Sequence, residues 1–401
     1  MALTKMNKEI KSSAEIGSIC IFTYLVSYLS RNITSVVTPT LIEEKIYIKA
    51  ELGLFTTVYF AVYAIGQLLN GVLGDRIRSK NMILAGCLIS GGGMLMFPIW
   101  NNPILNIASF AMLGFGLSML RGPLMKIIAE NMKPTVAETV CVLFSVASFA
   151  GPLLASLLVI VFKWQWVFYV TAIFALVMGI GSFFYFSVLE RKGIITFKSK
   201  KENIFKGLKN LFSIPNFVFF LLVAAIVEIA TSSITFWIPT YMSEYLKLSQ
   251  RMSAGVFSII SLLNLVAPFV CIFIYHRFLK DYIKLEALMF ALSALFFLLL
   301  IFTKGIPVLN ILLFALAKIT TGCASTVLWS IYIPSLAKYG SVSTGNGVYD
   351  FSGYAAAAML NAFFASFSNW NGVIISWVLI MLVGLIGSVI SIFINKRIKE
   401  A

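Results

Sequence analysis

The chain has 401 residues, of which 60% are hydrophobic and 12% are charged, and its formal net charge is +15 at pH 7. Soluble globular proteins are about 45–50% apolar and about 25% charged, so this composition excludes an ordinary soluble domain. The positive charge follows the ends of apolar segments, which makes it a signal of membrane orientation and excludes nucleic acid as a partner.

The apolar residues form blocks that are long enough to cross a bilayer. A helix needs about 20 residues to span the hydrocarbon core. Each block is apolar around its whole circumference and too long for a barrel strand, which predicts helices. In chain order, the twelve predicted spans are 16–39, 52–74, 82–100, 104–128, 136–161, 165–189, 216–243, 252–275, 285–303, 306–336, 345–368 and 371–394.

The distribution of Lys and Arg sets the predicted orientation. With both termini inside, 21 of the 31 Lys and Arg residues fall in cytoplasmic segments and 6 fall outside. Cytoplasmic connections carry this excess in membrane proteins. Residues 1–15 are interpreted as a short cytoplasmic tail, because the first block lacks a small-residue cleavage site. We therefore predict an all-α, multi-pass protein of the cytoplasmic membrane with both termini in the cytoplasm.

The longest hydrophilic connection, 190–215, divides the spans six and six. Within it, apolar residues recur at helical spacing between lysines, which is typical of a helix lying on an anionic leaflet. We predict a six-helix bundle over 1–189, a basic amphipathic linker over 190–215, and a second six-helix bundle over 216–401.

A short repeat supports two pseudo-symmetric halves. Pro39-Thr40 ends the first predicted span, and Pro239-Thr240 ends the seventh. Two six-helix repeats are a transporter architecture, and such proteins bind the substrate near the membrane midplane.

The connection after the second span carries a motif that resembles the major facilitator superfamily. Gly71, Asp75 and Arg76 match the superfamily pattern G-x-x-x-D-R/K-x-G-R-R/K, while Arg78 replaces its later glycine. The resemblance covers essentially the whole chain. It implies a monomeric transporter of small molecules that works by alternating access, with Gly71, Asp75 and Arg76 as a cytoplasmic gating motif.

Two further segments resemble the organophosphate/phosphate antiporters and their organic-anion relatives. The segment 27–32 is similar to that branch's first helix and implies a substrate-binding role for Arg31. Trp237, Pro239 and Tyr241 match its W-x-P-T-Y ending of helix 7. The branch's second binding arginine falls on Thr231 here, so a two-arginine phosphate clamp is not reproduced.

Polar residues inside the spans are the candidate site, because a charge at a span centre costs about 2.5–3.5 kcal/mol on insertion scales. Glu228 and Asp350 are candidates for proton coupling, with simple charge pairing to Arg31 or Lys318 as the alternative. Lys126 is expected to extend its ammonium to the cytoplasmic surface. The candidate substrate-binding residues are Arg31, Tyr59, Tyr63, Gln67, Arg121, Thr231, Lys318, Tyr349 and Tyr354.

The sequence favours a secondary transporter of a small organic anion, since four cations lie within the spans against two acids, Glu228 and Asp350, that lie away from the span ends. One alternative is a proton-coupled exporter of drugs or lipophilic cations, which Glu228 and the Gly151-Pro152 pair would suit. A second is a ligand sensor that does not transport. The five cysteines lack metal-ligand spacing, and no nucleophile–base pair or nucleotide motif is visible. We therefore expect no metal, no cofactor and no enzyme activity.

Overall fold

The computed structural model describes residues 2–100, 102–197, 211–248, 250–339, 341–365 and 369–400. In these ranges every regular element is a helix. Most of the predicted amphipathic linker helix falls on 198–210, outside the described residues. The chain divides into two compact units, unit 1 (Met1–Leu211 with Ile333–Val348) and unit 2 (Phe212–Tyr332 with Tyr349–Ala401). The predicted bundle boundaries stay a prediction.

Unit 1 is built mainly from the first seven helices. Asn102 caps one of them by accepting hydrogen bonds from the backbone N–H of Ile104 and Leu105, at 2.9 and 3.4 Å, and proline stands at the next position, where its missing N–H costs nothing. The helices are α1 (Ala2–Glu43), α2 (Lys49–Gly74), α3 (Ser79–Met96), α4 (Pro103–Ser118), α5 (Arg121–Asn131), α6 (Pro134–Val161) and α7 (Trp164–Arg191).

Unit 2 takes most of the later helices, two of which run into π-helical segments. The short helix Ile333–Ser335, the 3-10 turn Leu336–Tyr339 and the beginning of α14 belong to unit 1 instead. The helices are α8 (Phe217–Thr240) with a π segment (Tyr241–Tyr245), α9 (Gln250–Asn264), α10 (Ala267–Arg277), α11 (Tyr282–Phe302), α12 (Pro307–Thr326) with a π segment (Val327–Tyr332), α13 (Ile333–Ser335), α14 (Val342–Ala365) and α15 (Trp370–Glu400).

Two predicted spans are interrupted by proline. The predicted helix 104–128 breaks between Ser118 and Arg121, and the predicted helix 252–275 breaks between Asn264 and Ala267. Pro123 and Pro268 follow these breaks within the first turns of the new helices. Proline lacks an N–H and its ring clashes with the carbonyl four residues earlier, so the chain restarts as a second helix there.

Nine segments of the described chain are long and apolar enough to span a membrane. They include Ser13–Thr34, Leu54–Gly74 and Trp370–Lys396, which overlap the predicted spans 16–39, 52–74 and 371–394. The predicted spans that correspond to α3, α6 and α14 are not among the nine, and α14 carries polar residues in its first turns. The count of twelve spans and the position of the termini therefore stay a prediction.

Glycine lets the helices of unit 1 pack backbone to backbone. A Cβ built on Gly114 of α4 would lie 2.5 Å from the carbonyl oxygen of Tyr59 on α2. By contrast, a Cβ on Gly181 of α7 would meet nothing within 4 Å. Small residues at such crossings are what allow close packing of helices in membranes.

We expect Gly114→Ala to lower the free energy of unfolding of the protein in detergent by about 1–3 kcal/mol, because backbone atoms of α2 must move to admit the methyl group. Gly181→Ala is the matched control, and we expect it to be neutral or stabilising because alanine favours helix by up to about 1 kcal/mol. Equal loss in the two variants would contradict the close approach of α4 and α2.

Candidate functional site

Arg31 lies on α1 among aromatic side chains of unit 1. Its guanidinium carbon is 5.2 Å from the ring centre of Tyr63 and 5.7 Å from the ring centres of Tyr28 and Phe60. Aromatic faces attract a cation through their quadrupole, and a desolvated guanidinium gains more from this than an exposed one. The arrangement places a planar, permanently charged donor group among three aromatic rings, and Arg31 itself is half-buried.

Two residues of α2, Tyr59 and Gln67, carry buried hydrogen-bond donors. Tyr59 stacks on Tyr63 with ring centres 5.9 Å apart, and its hydroxyl is within electrostatic reach of Arg31. The Tyr59 hydroxyl and the Gln67 side-chain nitrogen are both buried, and neither has a hydrogen-bond partner among the described residues. Leaving a buried polar group unpaired costs about 1–3 kcal/mol. An acceptor brought to this side of α2 would remove that cost.

Arg121 begins α5 close to the same aromatic cluster. It acts electrostatically on Tyr24 of α1, which packs edge-on against Tyr28 at 4.9 Å. It also acts on Cys141 of α6, as does Glu138. The predicted cations Arg31 and Arg121 are thus linked by the pair Tyr24 and Tyr28, while Arg121 shares its surroundings with an acid.

Asp75 of the predicted gating motif is buried in unit 1 and fully engaged. Its carboxylate accepts hydrogen bonds from the backbone N–H groups of Ser343 and Thr344, at 3.2 and 2.9 Å, and from the Thr344 hydroxyl. These two residues begin α14, where unpaired N–H groups and the helix dipole favour an anion. The motif therefore fixes the first turn of α14 within unit 1.

Lys126 of α5 completes this arrangement. Its ammonium is 3.5 Å from Asp75, donates to the Gly74 carbonyl at 3.2 Å, and lies 4.6 Å from the ring centre of Phe197. The side chain is only 1% exposed. The expectation that Lys126 extends to the cytoplasmic surface is therefore wrong. Its long, flexible side chain brings the ammonium to the buried Asp75 carboxylate, which is a better partner than water.

The other two motif residues differ in their surroundings. A Cβ on Gly71 would lie 2.9 Å from the Cα of Gly347, so glycine is needed on both sides of this crossing between α2 and α14. Arg76 is half-buried at the end of α2. Sequence reasoning missed Ser343, Thr344 and Lys126 as partners of the motif, since nothing in their local pattern marks them.

Unit 2 holds the third predicted cation. Lys318 of α12 is buried and donates to the Thr235 hydroxyl of α8 at 3.0 Å. Glu228, two helical turns before Thr235 on α8, is within electrostatic reach of Lys318. A Cβ on Gly353 would lie 3.0 Å from the Glu228 Cβ, so α14 approaches α8 closely here. A lysine, an acid and a hydroxyl are thus gathered where these three helices meet.

Three other predicted residues of unit 2 are close in sequence to Glu228 or Gly353. Asp350 is buried, while Thr231 and Tyr354 are half-buried. Their roles in binding or proton coupling stay predictions. The side chain of Trp237, which enters the family resemblance, lies outside the described residues. In the part of the chain that is described, no group of three or more His, Cys, Asp or Glu side chains could hold a metal ion.

Tyr349 is packed into an aromatic cluster of unit 2. Its hydroxyl is 3.2 Å from the Phe217 carbonyl, to which it donates, and 3.3 Å from the Tyr332 hydroxyl. Its ring lies 4.9 Å from the ring of Phe217. These contacts give the side chain a packing role, beside the predicted role in substrate binding.

We expect Tyr349→Phe to lower the free energy of unfolding by about 1 kcal/mol, the usual net contribution of one buried hydrogen bond. Because the ring stays in place, ligand affinity should be unchanged. Thermal unfolding and ligand titration of the same purified variant separate the two effects. A loss of affinity at unchanged stability would instead favour substrate binding by Tyr349.

Comparison with known proteins places this geometry in a family. The sequence profile described as Major Facilitator Superfamily matches residues 20–360, which is more than half of the chain. The chain belongs to the Major Facilitator Superfamily. It is a multi-pass protein of the cell membrane and a member of a family of transporters that bind small-molecule substrates within the membrane. The superfamily prediction is confirmed, and the organophosphate and organic-anion branch stays a proposal.

The similar proteins are distant in sequence. An uncharacterized MFS-type transporter of Mycobacterium tuberculosis is 26% identical over 162 residues, a match that covers 37% of this chain and 26% of that protein. The chain thus spans about a quarter of the length of this curated relative.

Several solved structures share the fold over nearly the whole chain. A bacterial homologue of the iron transporter ferroportin, in an outward-facing state, has a TM-score of 0.80 at 11% identity and covers 94% of this chain and 99% of its own. The E. coli fucose:proton symporter has a TM-score of 0.74 at 12% identity, with 95% and 99% covered. A human organic anion transporter has a TM-score of 0.70 at 13% identity, with 94% and 99% covered. These likenesses show the fold.

Proposed function

We propose that this superfamily member is a secondary active transporter that moves a small organic anion across the cytoplasmic membrane by alternating access. The anion is a carboxylate, a sugar acid or an organophosphate, as the resemblance to the organic-anion branch implies. Transport is coupled to protons or to a second anion, and the protein works as a monomer.

Arg31 and two buried donors on α2 carry this proposal. Tyr59 and Gln67 offer an O–H and an N–H that lack acceptors among the described residues, on the helix that packs near the guanidinium. An anionic oxygen satisfies such donors, and hydrogen bonds to a charged group contribute about 1.5–3 kcal/mol each. A cationic substrate would leave both donors unsatisfied and would meet the charge of Arg31. The site in unit 1 therefore selects for negative charge.

Lys318 supplies a second positive charge in unit 2. It stays near Glu228, which can balance it when no substrate is bound. Glu228 and Asp350 remain the proposed proton-coupling residues of that unit. Relatives with the same fold include proton symporters of fucose and xylose and an organic anion transporter, so proton coupling and anion transport both occur on this architecture.

A proton-coupled exporter of lipophilic cations is the second candidate function. Glu228 favours it, because a carboxylate inside a span can bind a cation. The Gly151-Pro152 pair gives it less support, since a Cβ on Gly151 would lie 2.5 Å from the Tyr28 Cβ. Close packing of α6 against α1 already accounts for that glycine.

Ligand-dependent thermal unfolding tests the proposal. A ligand that binds the folded protein raises the unfolding midpoint by mass action. The panel contains phosphate, glycerol phosphate, sugar phosphates, hexuronates, small carboxylates and cationic drugs, each added to the purified protein in detergent. A shift from one class of anion, followed by uptake of that anion into liposomes, is the expected result. Shifts from cationic drugs alone would overturn it, and binding without flux would favour a sensor.

A further inference from the structure

Glu286 is a buried acid that the proposed mechanism does not use. It lies on α11 in unit 2, is 0% exposed, and neither of its carboxyl oxygens has a hydrogen-bond partner among the described residues. An ionised carboxylate in such a place loses several kcal/mol of hydration with nothing to offset the loss. The group is therefore stable only when a cation is bound to it.

Two buried thiols lie near Glu286. Cys271 of α10 and Cys323 of α12 are both buried and within electrostatic reach of the carboxyl. A Cβ on Gly322 would lie 2.6 Å from the amide oxygen of Asn264, which also lacks a partner among the described residues. Glu286 thus brings two unpartnered acceptor oxygens to the place where α10, α11 and α12 meet, and Asn264, at the end of α9, brings a third against α12.

A proton fits this site better than a metal ion does. Glu286, Cys271 and Cys323 do not form a group of three ligands that could hold a metal, by the geometry of the described residues. A proton needs only one carboxyl oxygen, and the resulting O–H can donate to a neighbouring acceptor. We propose that Glu286 is a proton-binding site of unit 2, separate from Glu228 and Asp350, and that its proton is exchanged during the transport cycle.

Glu286 lies close to the beginning of α11. Asp281 caps α11 by accepting hydrogen bonds from the N–H groups of Ile283 and Lys284, at 3.0 and 3.3 Å. Glu286 follows within the next turn, so it lies near the predicted cytoplasmic connection 277–284. The carboxyl itself is fully enclosed in this structure. This arrangement is that of an occluded proton.

The groups that act electrostatically on the Glu286 carboxyl supply no countercharge. The electrostatic neighbours assigned to the carboxyl are the two thiols, which carry no positive charge. Among the side chains that the structure describes, the remaining charged or titratable ones on α11 and on the elements packed against it are Tyr275, His276 and Arg277 on α10, Tyr282 and Lys284 on α11, Lys318 on α12, Tyr332 on the following π segment, and Lys396 on α15.

A hydrophobic carbodiimide reports the proton on Glu286 directly. The reagent enters apolar regions, and a protonated carboxyl adds its O–H across the carbodiimide C=N bond, whereas a carboxylate does not. We expect dicyclohexylcarbodiimide to modify Glu286 at neutral pH, with the adduct located by mass spectrometry of the peptide. Glu190 is the internal control, because it pairs with Lys80 and is partly exposed, and it should stay unmodified.

Transport tests the exchange of this proton, and this arm rests on the proposed function. Glu286→Gln keeps the shape of the neutral acid but cannot release a proton. In liposomes we expect it to abolish uptake of labelled glucuronate and glycerol phosphate driven by an imposed pH gradient. Exchange of the same anions across the membrane at equal pH should persist. Glu190→Gln should leave both activities intact.

The outcomes separate this proposal from the proposed function. Modification of Glu286, together with loss of gradient-driven uptake in Glu286→Gln, supports it. An unmodified Glu286 in the wild-type protein overturns it without any need for the variant to fold. Undiminished gradient-driven uptake in Glu286→Gln also overturns it. If neither anion enters liposomes with wild-type protein, the proposed function fails for these anions, and the carbodiimide still decides whether Glu286 holds a proton.

Discussion

Asp75→Ala is expected to lower the free energy of unfolding by about 3–5 kcal/mol, since removing one partner of a buried ion pair leaves the other charge uncompensated. Lys126 would keep its charge inside unit 1 with Gly74 and Phe197 as its remaining neighbours. The N–H groups of Ser343 and Thr344 would also lose their acceptor. Denaturant unfolding of the purified protein in mixed micelles measures the change.

The double variant Asp75→Ala with Lys126→Met decides whether the pair is the cause. Methionine fills a similar volume without a charge, so the double variant should recover a large part of the loss. Arg78→Ala in the same connection is the matched control, and because Arg78 is exposed we expect a change within about 0.5 kcal/mol. If the double variant is no more stable than Asp75→Ala, the ion pair is not what stabilises this end of unit 1.

Arg31→Ala is expected to weaken binding of the transported anion by roughly 10- to 150-fold. Hydrogen bonds to a charged group contribute about 1.5–3 kcal/mol, and each 1.4 kcal/mol is a factor of ten in affinity. Arg31→Lys should recover only part of the affinity, because an ammonium keeps the charge but lacks the planar pair of donors that suits a carboxylate or phosphate. Titration of the stabilising anion from the ligand panel measures both variants.

Two further variants make the Arg31 result interpretable. Arg191→Ala removes an exposed arginine at the end of α7 and should leave affinity unchanged. Tyr59→Phe removes a buried hydroxyl that has no partner in the described structure, so we expect weaker anion binding with no loss of stability. Unchanged affinity in Arg31→Ala would mean that the guanidinium serves the packing of Tyr28, Phe60 and Tyr63 and would end the anion proposal.

The helical character of the chain and its superfamily could be predicted from sequence for a clear physical reason. Lipid requires every backbone polar group to be paired within its own segment, so long apolar blocks report helices directly. Tyr59, Tyr63 and Gln67 follow one another at intervals of four residues, the spacing that lines one side of a helix. Local pattern was sufficient wherever the structure is set by a segment's own residues.

Contacts between distant segments could not be predicted in this way. Asp75 is bound by residues 268 and 269 positions later in the chain, and no local pattern marks Ser343 or Thr344 as its partners. Glu286 also escaped notice, because it sits at the edge of an apolar block where an exposed acid would be unremarkable. Its isolation is visible only once α10, α11 and α12 are seen to enclose it.

The two π-helical segments, Tyr241–Tyr245 and Val327–Tyr332, bear on how the chain is aligned with its relatives. A π turn closes its hydrogen bond one residue later than an α turn, so it accommodates one inserted residue without ending the helix. Val327–Tyr332 runs directly into α13, so there the extra residue turns the register of the helix that follows by about 100°. We expect a relative whose chain passes this point as a plain α-helix to be one residue shorter here. An alignment that runs through this point without a gap would therefore match the wrong faces of the helix beyond it.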